Sequence, residues 1–478
     1  MHIVRAVVAA AFVAALTACS SGTISTPNPP GPGPTSAPSG SIQHVVILFQ
    51  ENRSFNSMFM GFPGAETSNV GACKRWKSPD GKVYCPDNAP VKLKPIYLES
   101  CPGGCPSGSG ADIAHQYSTF NTEADADPAT GVLRMDGFDA IYRGTTGGGL
   151  PAGLYPYGFV VKRETKPLWD MASQYTLADH MFSTEKSDSF PAHQQLIAGT
   201  TALSDQESLV DSPSYNLWGC DAPSGTTTPV LFKNGRYQVK GPFPCFNQYK
   251  TIADVLDASN VSWKYYVEAM SGKYADTSGD LWNAFDAIKS VRYGADWKKN
   301  IVSPNSQVMD DAAAGKLASV SYVIPTLFDS DHPASGCANG PNWVSRVVNA
   351  IGKSPEWKNT LILVTWDEWG GWYDGVPPPQ PDYTTLGMRI PLIIISPYAK
   401  KHYVSKTQYE FGSLLKFIEQ NFGTGSLNST DVRANSIVDS LDFTQKPTAF
   451  KPIAVPPAQK CAGRSTEQLI EEEGGAPG

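Results

Sequence analysis

The sequence predicts an α/β fold with a mostly parallel central sheet, helices on both faces and loop insertions. Five short runs rich in Val, Ile and Leu are typical of strands buried on both sides. Segments with helical periodicity lie between these runs. Polar residues follow several of the strands, and the carboxyl ends of parallel strands are where such sheets bind ligands. We therefore expect a site at this edge of the sheet.

The elements follow from the apolar patterns in chain order. The predicted strands cover residues 44–49 (HVVILF), 175–179 (YTLAD), 318–324 (ASVSYVI), 359–366 (NTLILVTW) and 389–396 (RIPLIIIS). Helices are predicted at 251–259 (TIADVLDAS) and 343–352 (WVSRVVNAIG). No internal linker or repeat divides the body. Its length suits one large α/β domain with insertions or two domains, and we place the catalytic domain at 41–455, with a tail at 456–478.

The first 19 residues predict a lipoprotein signal peptide. Arg5 precedes the apolar stretch AVVAAAFVAAL, and Leu16-Thr17-Ala18-Cys19 resembles the bacterial lipoprotein processing box. An ordinary signal peptide with an incidental Cys is the alternative. Residues 20–40 are rich in Pro, Gly, Ser and Thr, which predicts a semi-extended tether.

We expect lipidation at Cys19 to hold an exported protein on the membrane. No second long apolar run follows, so a lipid rather than a transmembrane helix would be the anchor. Ser20 follows Cys19 where an Asp often retains such proteins in the inner membrane. An outer-membrane location in the cell envelope, facing the periplasm or the surface, is therefore expected.

Eight cysteines remain after Cys19, which suits disulfides in an oxidising compartment. Sequence proximity favours three pairs and leaves Cys337 and Cys461: the pairs are Cys73 with Cys85, Cys101 with Cys105, and Cys220 with Cys245. The formal net charge of −7 argues against nucleic acid as a partner, because binding to phosphate backbones needs a basic surface.

Acidic and amide side chains follow two of the predicted strands. Glu51 and Asn52 come after strand 44–49, and Asp367 and Glu368 come after strand 359–366. Each pair alone could cap a turn or begin a loop. Three acids packed together would repel one another, and a bound cation removes that repulsion. The sequence therefore predicts one divalent metal ion held by Glu51, Asp367 and Glu368.

Ser189 lies just before Pro191 and a helix-compatible run, in SDSFPAHQQLIAGT. The simplest prediction is a helix N-cap. The same position would direct free backbone N–H groups towards an anion bound by the Ser. A metal contacting the hydroxyl would make Ser189 a nucleophile, with His193 one turn further on contacting a bound phosphate.

Several ordered motifs resemble the bacterial phosphoesterase family, which includes phospholipase C and the respiratory-burst-inhibiting type of acid phosphatase. The resemblance extends from about residue 42 to about 450, as expected for a single family domain. It implies an alkaline-phosphatase-like fold and metal-assisted hydrolysis of phosphate esters. The motifs are ENRSFNSMF, DIAHQYSTFN with RMDGF, SFPAHQ, DSDHPASG, WDEWGGWYD and RIPLIIISPYAKKHYV followed by QYEFGSLLKFIEQNFG.

The resemblance also implies roles for individual residues. Glu51, Asp367 and Glu368 match the metal ligands, Asn52 a contact to metal or phosphate, and Ser189 the nucleophile. His115 and His332 match histidines that line the phosphate pocket and donate hydrogen bonds or protons. His193 is a further catalytic candidate. His180 and His402 are expected to be structural or surface residues, and Arg53 an ion-pair partner of the carboxylates.

Two positions depart from the family pattern and leave the substrate open. Gly375 stands where many relatives have His, and Lys406 replaces another His. Phosphomonoesters and phospholipid head-group diesters both remain compatible; the short segment after residue 450 favours the acid-phosphatase-like branch over phospholipase C. A surface lipoprotein that only binds its ligand is the third alternative.

The residue types do not select the metal. Carboxylates with an amide and a Ser suit Ca²⁺, Mg²⁺ or Mn²⁺, and neighbouring histidines admit Zn²⁺ or Fe.

Overall fold

The computed structural model describes residues 37–38, 40–74, 90–96, 98, 112–141, 152–272, 276–333 and 339–456. The described residues belong to one compact unit. The predicted signal peptide with Cys19, most of the tether, and nearly all of the C-terminal tail lie outside these ranges. The same holds for five of the other cysteines: Cys85, Cys101, Cys105, Cys337 and Cys461.

Sixteen strands occur within the described ranges. In chain order they are β1 (His44–Gln50), β2 (Val70–Gly71), β3 (Val91–Lys92), β4 (Lys94–Ile96), β5 (Gly158–Val160), β6 (Thr176–Phe182), β7 (Ala202–Ser204), β8 (Glu207–Leu209), β9 (Val230–Phe232), β10 (Tyr237–Gln238), β11 (Trp263–Tyr266), β12 (Ile301–Val302), β13 (Val320–Val323), β14 (Thr360–Trp366), β15 (Arg389–Ile395) and β16 (Tyr403–Ser405).

Eleven α-helices occur in the same ranges. They are α1 (Phe55–Phe59), α2 (Tyr117–Ala124), α3 (Lys162–Gln174), α4 (Ser189–Ala198), α5 (Ile252–Ala258), α6 (Thr277–Leu281), α7 (Lys289–Arg292), α8 (Ala295–Asn300), α9 (Gln307–Ala313), α10 (Gly340–Gly352) and α11 (Phe411–Phe422). None of the described helices is long and apolar enough to cross a membrane.

Eight strands form the central sheet in the order β12-β11-β13-β1-β14-β15-β6-β16. Every neighbouring pair is parallel except the two pairs made by β15, which runs antiparallel to β14 and to β6. The prediction of a mostly parallel α/β sheet is therefore confirmed. The single reversed strand was not predicted, because strand direction is set by the connections and not by the apolar pattern.

All five predicted strands and both predicted helices exist, with shifted ends. Among the strands the largest shift is in β6, which was predicted to end at Asp179 and continues to Phe182. His180 interrupts the apolar run, but this residue is only partly buried and the strand continues through it. Helix α10 begins at Gly340, three residues before the predicted start, with Pro341 in its first turn.

The sheet core is apolar on both sides. Every residue of β14 and β15 is buried, which requires cover on each face. The helices pack as two groups: α10 contacts α3 and α9, whereas α4 contacts α5 and α11. Phe49 of β1 packs against Phe411 of α11, on the side of the second group.

A small antiparallel sheet is inserted between α4 and α5, in the order β10-β9-β8-β7. A disulfide between Cys220 and Cys245 closes the loop that contains β9 and β10. This confirms one of the three predicted pairs. Cys73 is also disulfide-bonded. The insertion is defined here as residues 202–250.

Candidate active site

The candidate site begins where β1 and β14 end side by side. The two strands are parallel and in register, with His44 opposite Thr360 and Gln50 opposite Trp366. Glu51 and Asp367 therefore leave the sheet at equivalent positions. The Asp367 N–H donates to the Gln50 carbonyl at 3.0 Å, which extends the ladder by one step. The parallel register thus brings together acids separated by more than 300 residues of sequence.

Asn52 makes the turn that closes this edge. Its φ of 54° lies in the left-handed region, which Asn enters more readily than most residues. In this conformation the Asn52 N–H donates to Asp367 Oδ1 at 2.8 Å. A Cβ on Gly370 would lie 2.3 Å from the Asn52 carbonyl oxygen, so the loop after β14 fits beneath Asn52 only because residue 370 is Gly.

Ser189 is the first residue of α4 and is nearly buried, with 5% of its surface exposed. The prediction that Ser189 is the N-cap was wrong by one residue. Asp188 occupies the N-cap position with an extended backbone, although its side chain makes no capping hydrogen bond. The Ser189 hydroxyl is thereby left to the site, where it donates to Asn52 Oδ1 at 3.5 Å.

His115 lies on the other side of the Asn52 amide. Its Nε2 is 3.2 Å from Asn52 Nδ2, and its Nδ1 is 2.6 Å from the Ile113 carbonyl. The carbonyl fixes Nδ1 as the protonated nitrogen, so Nε2 accepts from the amide. Glu368 Oε1 is 3.7 Å from the same Nε2. One amide side chain therefore connects the Ser189 hydroxyl to the His115 imidazole.

The structure places His193 against Glu51, with Nε2 2.9 Å from Glu51 Oε1. One turn of α4 separates it from Ser189, so the same helix supplies both residues. One potential ligand atom from each of Glu51, His193 and Asp367 lies within 4.8 Å of the others. From the sequence, His193 was predicted to contact the bound phosphate and was not among the predicted metal ligands.

Burial makes the ionised forms of these acids costly. It raises the pKa of Glu51 well above its usual value, and hydrogen bonds with Asp367 and Ser189 offset part of this. Burial and the neighbouring Glu51 charge raise the pKa of Asp367 to about 8. Burial, and after it repulsion from the Asp367 charge, raises the pKa of Glu368 well above its usual value. Burial also lowers the pKa of His193 to about 4, which keeps its ring neutral.

The same arrangement fits a divalent cation. Asp367 Oδ2 and Glu368 Oε1 are buried and accept no hydrogen bond within the described part of the chain. Buried carboxylate oxygens without donors are unfavourable unless a cation or a proton reaches them. Two carboxylates and a neutral imidazole are a donor set that Zn²⁺, Mn²⁺ or Fe accepts as well as harder ions. The residues therefore fit the predicted metal.

His332 is placed beside this cluster through an aromatic neighbour. The Trp282 ring lies parallel to the His193 ring at 6.4 Å and is 6.0 Å from the His332 ring. His332 is half-buried, and its Nδ1 lies 2.6 Å from the Pro333 carbonyl. Trp282 thus forms a wall shared by the two histidines, and no signal in the sequence had identified it.

Arg53 was predicted to form an ion pair with the carboxylates of the site. Within the described part of the chain it forms none with Glu51, Asp367 or Glu368, so this prediction is wrong. Its Nε donates to the Asp331 carbonyl at 3.0 Å, and its guanidinium lies 4.7 Å from the Trp372 ring centre. The nearby Arg53 charge limits the rise in the pKa of Asp331, which burial nevertheless raises to about 7. Arg53 therefore supports the loop that carries His332.

The remaining singled-out residues lie away from the cluster. His180 is 2.8 Å from Asp179 Oδ1, and Lys406 forms an ion pair with the same carboxylate. His402 is exposed. Gly375 is exposed, and the adjacent Asp374 is held by Arg389 at 3.0 Å. The two positions that depart from the family pattern, Lys406 and Gly375, therefore do not belong to the group of potential metal ligands.

Two acids next to Ser189 were missed in the sequence. Asp188 accepts from the Ser212 N–H and hydroxyl at 3.1 and 2.9 Å. Asp211 accepts from the Ser187 hydroxyl at 2.6 Å. Burial, followed by repulsion from Asp211, raises the pKa of Asp188 well above its usual value. The SDS motif at 187–189 was the available signal, because polar residues surround the candidate nucleophile there.

The fold and the site together define an α/β protein with a serine and a histidine joined by an amide, next to a buried carboxylate cluster that fits a metal. The family model of the phosphoesterase family matches residues 42–425. The chain belongs to the phosphoesterase family, whose members are hydrolases acting on phosphate esters.

Curated relatives that the chain resembles are phospholipases C. It is 25% identical to the hemolytic phospholipase C of Pseudomonas aeruginosa over 80% of this chain and 53% of that enzyme. It is 24% identical to phospholipase C A of Mycobacterium tuberculosis over 88% of this chain and 81% of that enzyme. The chain thus spans about half the length of the Pseudomonas relative.

Similar solved structures are more distant. A protein in the alkaline phosphatase superfamily from Vibrio parahaemolyticus has a TM-score of 0.34 and 10% identity, covering 57% of this chain and 65% of that chain. A phosphonate monoester hydrolase from Silicibacter pomeroyi has a TM-score of 0.29 and 12% identity, covering 60% and 73%. The sheet described above, and not this similarity, establishes the fold class.

Proposed function

We propose that this protein is a metal-dependent phosphoric ester hydrolase that acts on phosphomonoesters through a phosphoserine at Ser189. The observation that carries the proposal is the Asn52 amide, which joins the Ser189 hydroxyl at 3.5 Å to His115 at 3.2 Å. Next to this amide, Glu51 and Asp367 lie buried within 4.8 Å of each other. A nucleophile, a proton carrier and a cation-binding cluster thus meet around one amide.

Family membership supports the reaction class, and the enclosure of the site supports the monoester. Ser189 is 5% exposed and His115 is 7% exposed. A terminal phosphoryl group needs access from one side only, whereas a diester carries a second substituent on phosphorus. The nearly closed site therefore favours a terminal phosphoryl group.

The chain's own residues supply positioning and proton transfer in two displacements. Ser189 Oγ attacks phosphorus, forming one P–O bond while the bond to the alcohol breaks in line with it. The proton that the Ser189 hydroxyl loses passes to a pocket histidine, His115 or His332, and this histidine then protonates the leaving alcohol. Water then attacks the phosphoserine and releases phosphate and Ser189. Such reactions depend mainly on alignment and on stabilisation of charge.

Glu51, His193 and Asp367, with Glu368 and the Asn52 amide, would hold the metal. When bound, the metal would lower the pKa of the serine hydroxyl and stabilise negative charge on the phosphoryl oxygens. Asn52 would orient the hydroxyl, and the protein wall around it would exclude water before the first displacement.

Replacing the nucleophile tests the proposal. We expect Ser189→Ala to lower hydrolysis of p-nitrophenyl phosphate by at least about 10³-fold, because the phosphoserine cannot form. The thermal unfolding temperature should remain within a few degrees, since a small side chain is lost without opening a large cavity. Turnover retained in the folded variant would remove Ser189 from the mechanism.

A phospholipase C activity is the second candidate, favoured by the names of the relatives in Pseudomonas aeruginosa and Mycobacterium tuberculosis. Assays with p-nitrophenyl phosphate and with p-nitrophenylphosphorylcholine, across pH and with or without a chelator, separate the candidates. Activity on the first substrate alone supports a phosphatase, and activity on the second supports a phospholipase C. Ligand binding without turnover would identify a binding lipoprotein.

We also propose that the protein is exported and lipid-anchored through Cys19 to the outer membrane. Its support is the Leu16-Thr17-Ala18-Cys19 sequence followed by the Pro-rich tether. Metabolic labelling with a radioactive fatty acid should mark the native chain and not Cys19→Ser. Equal labelling of both would exclude this anchor.

A further inference from the structure

Two tyrosines from distant parts of the chain form a stacked pair beside the candidate site. The Tyr117 and Tyr237 rings are nearly parallel, at an angle of 4°, with centroids 6.3 Å apart. Tyr117 begins α2, and Tyr237 lies in β10 of the insertion, where it pairs with Leu231. The ladder fixes the position of Tyr237, a residue that is nevertheless 41% exposed.

Asp211 holds both tyrosines. Its Oδ1 accepts from the Tyr117 N–H at 2.7 Å, and its Oδ2 accepts from the Tyr237 hydroxyl at 2.8 Å. The Ser187 hydroxyl donates to Asp211 Oδ1 at 2.6 Å and accepts from the Asp211 N–H at 2.8 Å. Asp211 thus ties the aromatic pair to the segment that carries Ser189.

The pair is also tied to the other side of the site. Tyr117 comes two residues after His115, whose imidazole contacts Asn52. Tyr117 is therefore two residues from the candidate proton carrier. Both tyrosines bond to Asp211, which in turn bonds to Ser187, two residues before the candidate nucleophile. These contacts tie the exposed Tyr237 ring to the segments that carry both candidate catalytic residues.

The surrounding charge indicates which group fits. Asp211 already accepts from Ser187, Tyr117 and Tyr237, so its charge is largely satisfied. Lys233, Arg236 and Lys240 are exposed on the same hairpin, and the Arg236 guanidinium lies over the Phe232 ring. An ammonium group would find Asp211 already occupied by three donors, whereas an uncharged planar ring can stack on the exposed aromatic face without a counter-charge.

We propose that Tyr117 and Tyr237 form a leaving-group subsite that selects phosphate monoesters of planar aromatic alcohols. This inference rests on the proposed function, because it concerns the alcohol that leaves when Ser189 is phosphorylated. The stacking acts on the leaving group and not on the phosphoryl group, so it changes preference among substrates more than the chemical step.

The test compares three monoesters by release of inorganic phosphate: p-nitrophenyl phosphate, glycerol 2-phosphate and choline phosphate. We expect Tyr237→Ala to lower kcat/KM for the aryl ester roughly threefold to tenfold more than for glycerol 2-phosphate, mainly through KM. Tyr237→Phe keeps the ring and should keep the aryl preference. Tyr293→Ala removes a tyrosine that is 63% exposed and unconnected to Asp211, and should leave all three rates unchanged.

Equal loss on all three esters in Tyr237→Ala would overturn the subsite, because it would mean a general structural role. A selective loss on choline phosphate would overturn it in favour of cation recognition. The same loss in Tyr237→Phe as in Tyr237→Ala would assign the effect to the bond with Asp211 and would also overturn it. Wild-type protein inactive on every ester would instead contradict the proposed function.

Discussion

Asn52 shows how one residue can hold three parts of a site together. Its backbone N–H donates to Asp367, its amide nitrogen faces His115, and its amide oxygen accepts from Ser189. Its backbone has a φ of 54°, a conformation that costs most side chains about 1 kcal/mol or more. The backbone conformation and the amide therefore make separable contributions, the first to stability and the second to chemistry.

Two substitutions separate these contributions. We expect Asn52→Gly and Asn52→Ala each to lower kcat/KM about 100-fold or more, because both lose the amide that orients Ser189 and His115. Asn52→Gly should be about 1 kcal/mol more stable than Asn52→Ala, since Gly adopts positive φ without strain. Kinetics with urea unfolding of both proteins measure the two effects. Full activity in Asn52→Gly would mean that the amide is dispensable.

At the scale of elements, the loop after β14 positions the loop that carries His115. Gly371 has a φ of 74°, and a Cβ there would lie 2.4 Å from Ile113 Cγ2 and 2.8 Å from the Ala114 carbonyl oxygen. Any side chain at residue 371 must push these two residues away. His115 follows them directly, and its Nδ1 bonds to the Ile113 carbonyl. The close approach of two loops is therefore part of the alignment of His115.

Gly371→Ala should therefore lower activity at least about tenfold by displacing His115, because small misplacements of catalytic groups cost large factors in rate. Gly423→Ala is the matched control. Gly423 also has a positive φ, of 65°, but a Cβ there meets nothing within 4 Å. Gly423→Ala should lose about 1 kcal/mol of stability through its positive φ alone, and Gly371→Ala should lose more because of the added clash. Activity should be retained only in Gly423→Ala. Equal activity in the two variants would contradict this role of the loop.

The sequence predicted the elements better than the contacts between them. Buried strands such as β14 and β15 were found because runs of Val, Ile and Leu need cover on both faces. Glu51 and Asp367 were found because they follow two such strands. Trp282 and Asp211 were missed, since their positions depend on the insertion and on long-range packing that no local period records. His193 was noticed because it lies one helical turn after Ser189. That spacing does not predict its contact with Glu51, which comes from a distant strand.

For the whole molecule, the buried acids couple metal binding to folding. In the metal-free protein the pKa of Asp367 is raised from 3.8 to about 8 by burial and by Glu51. The folded state therefore binds more protons than the unfolded state between these pH values. The contribution of Asp367 to the free energy of unfolding is therefore fully present below about pH 4 and is lost as the pH rises through about 8. A divalent cation binds the ionised carboxylates and opposes this loss.

Thermal unfolding from pH 5 to 8 checks the coupling. With a chelator, we expect the unfolding temperature to fall as the pH rises. A free metal concentration of 100 times its Kd should raise the free energy of unfolding by about 2.7 kcal/mol. Asp367→Asn should flatten the pH dependence and lose most of the metal effect, because the charge is gone. Elemental analysis of both proteins gives the metal content. An unchanged response in Asp367→Asn would place the cation elsewhere.

The antiparallel insertion at residues 202–250 lies outside the sheet that sets the register of Glu51 and Asp367. Its disulfide and its ladders stabilise it locally, and Tyr237 and Asp211 belong to it. In the proposed subsite, Tyr237 and its partner Asp211 therefore lie in the insertion, whereas Tyr117 and the carboxylate cluster lie outside it. Exchanging this insert between homologous enzymes offers a route to altered selectivity in which the carboxylate cluster keeps its geometry.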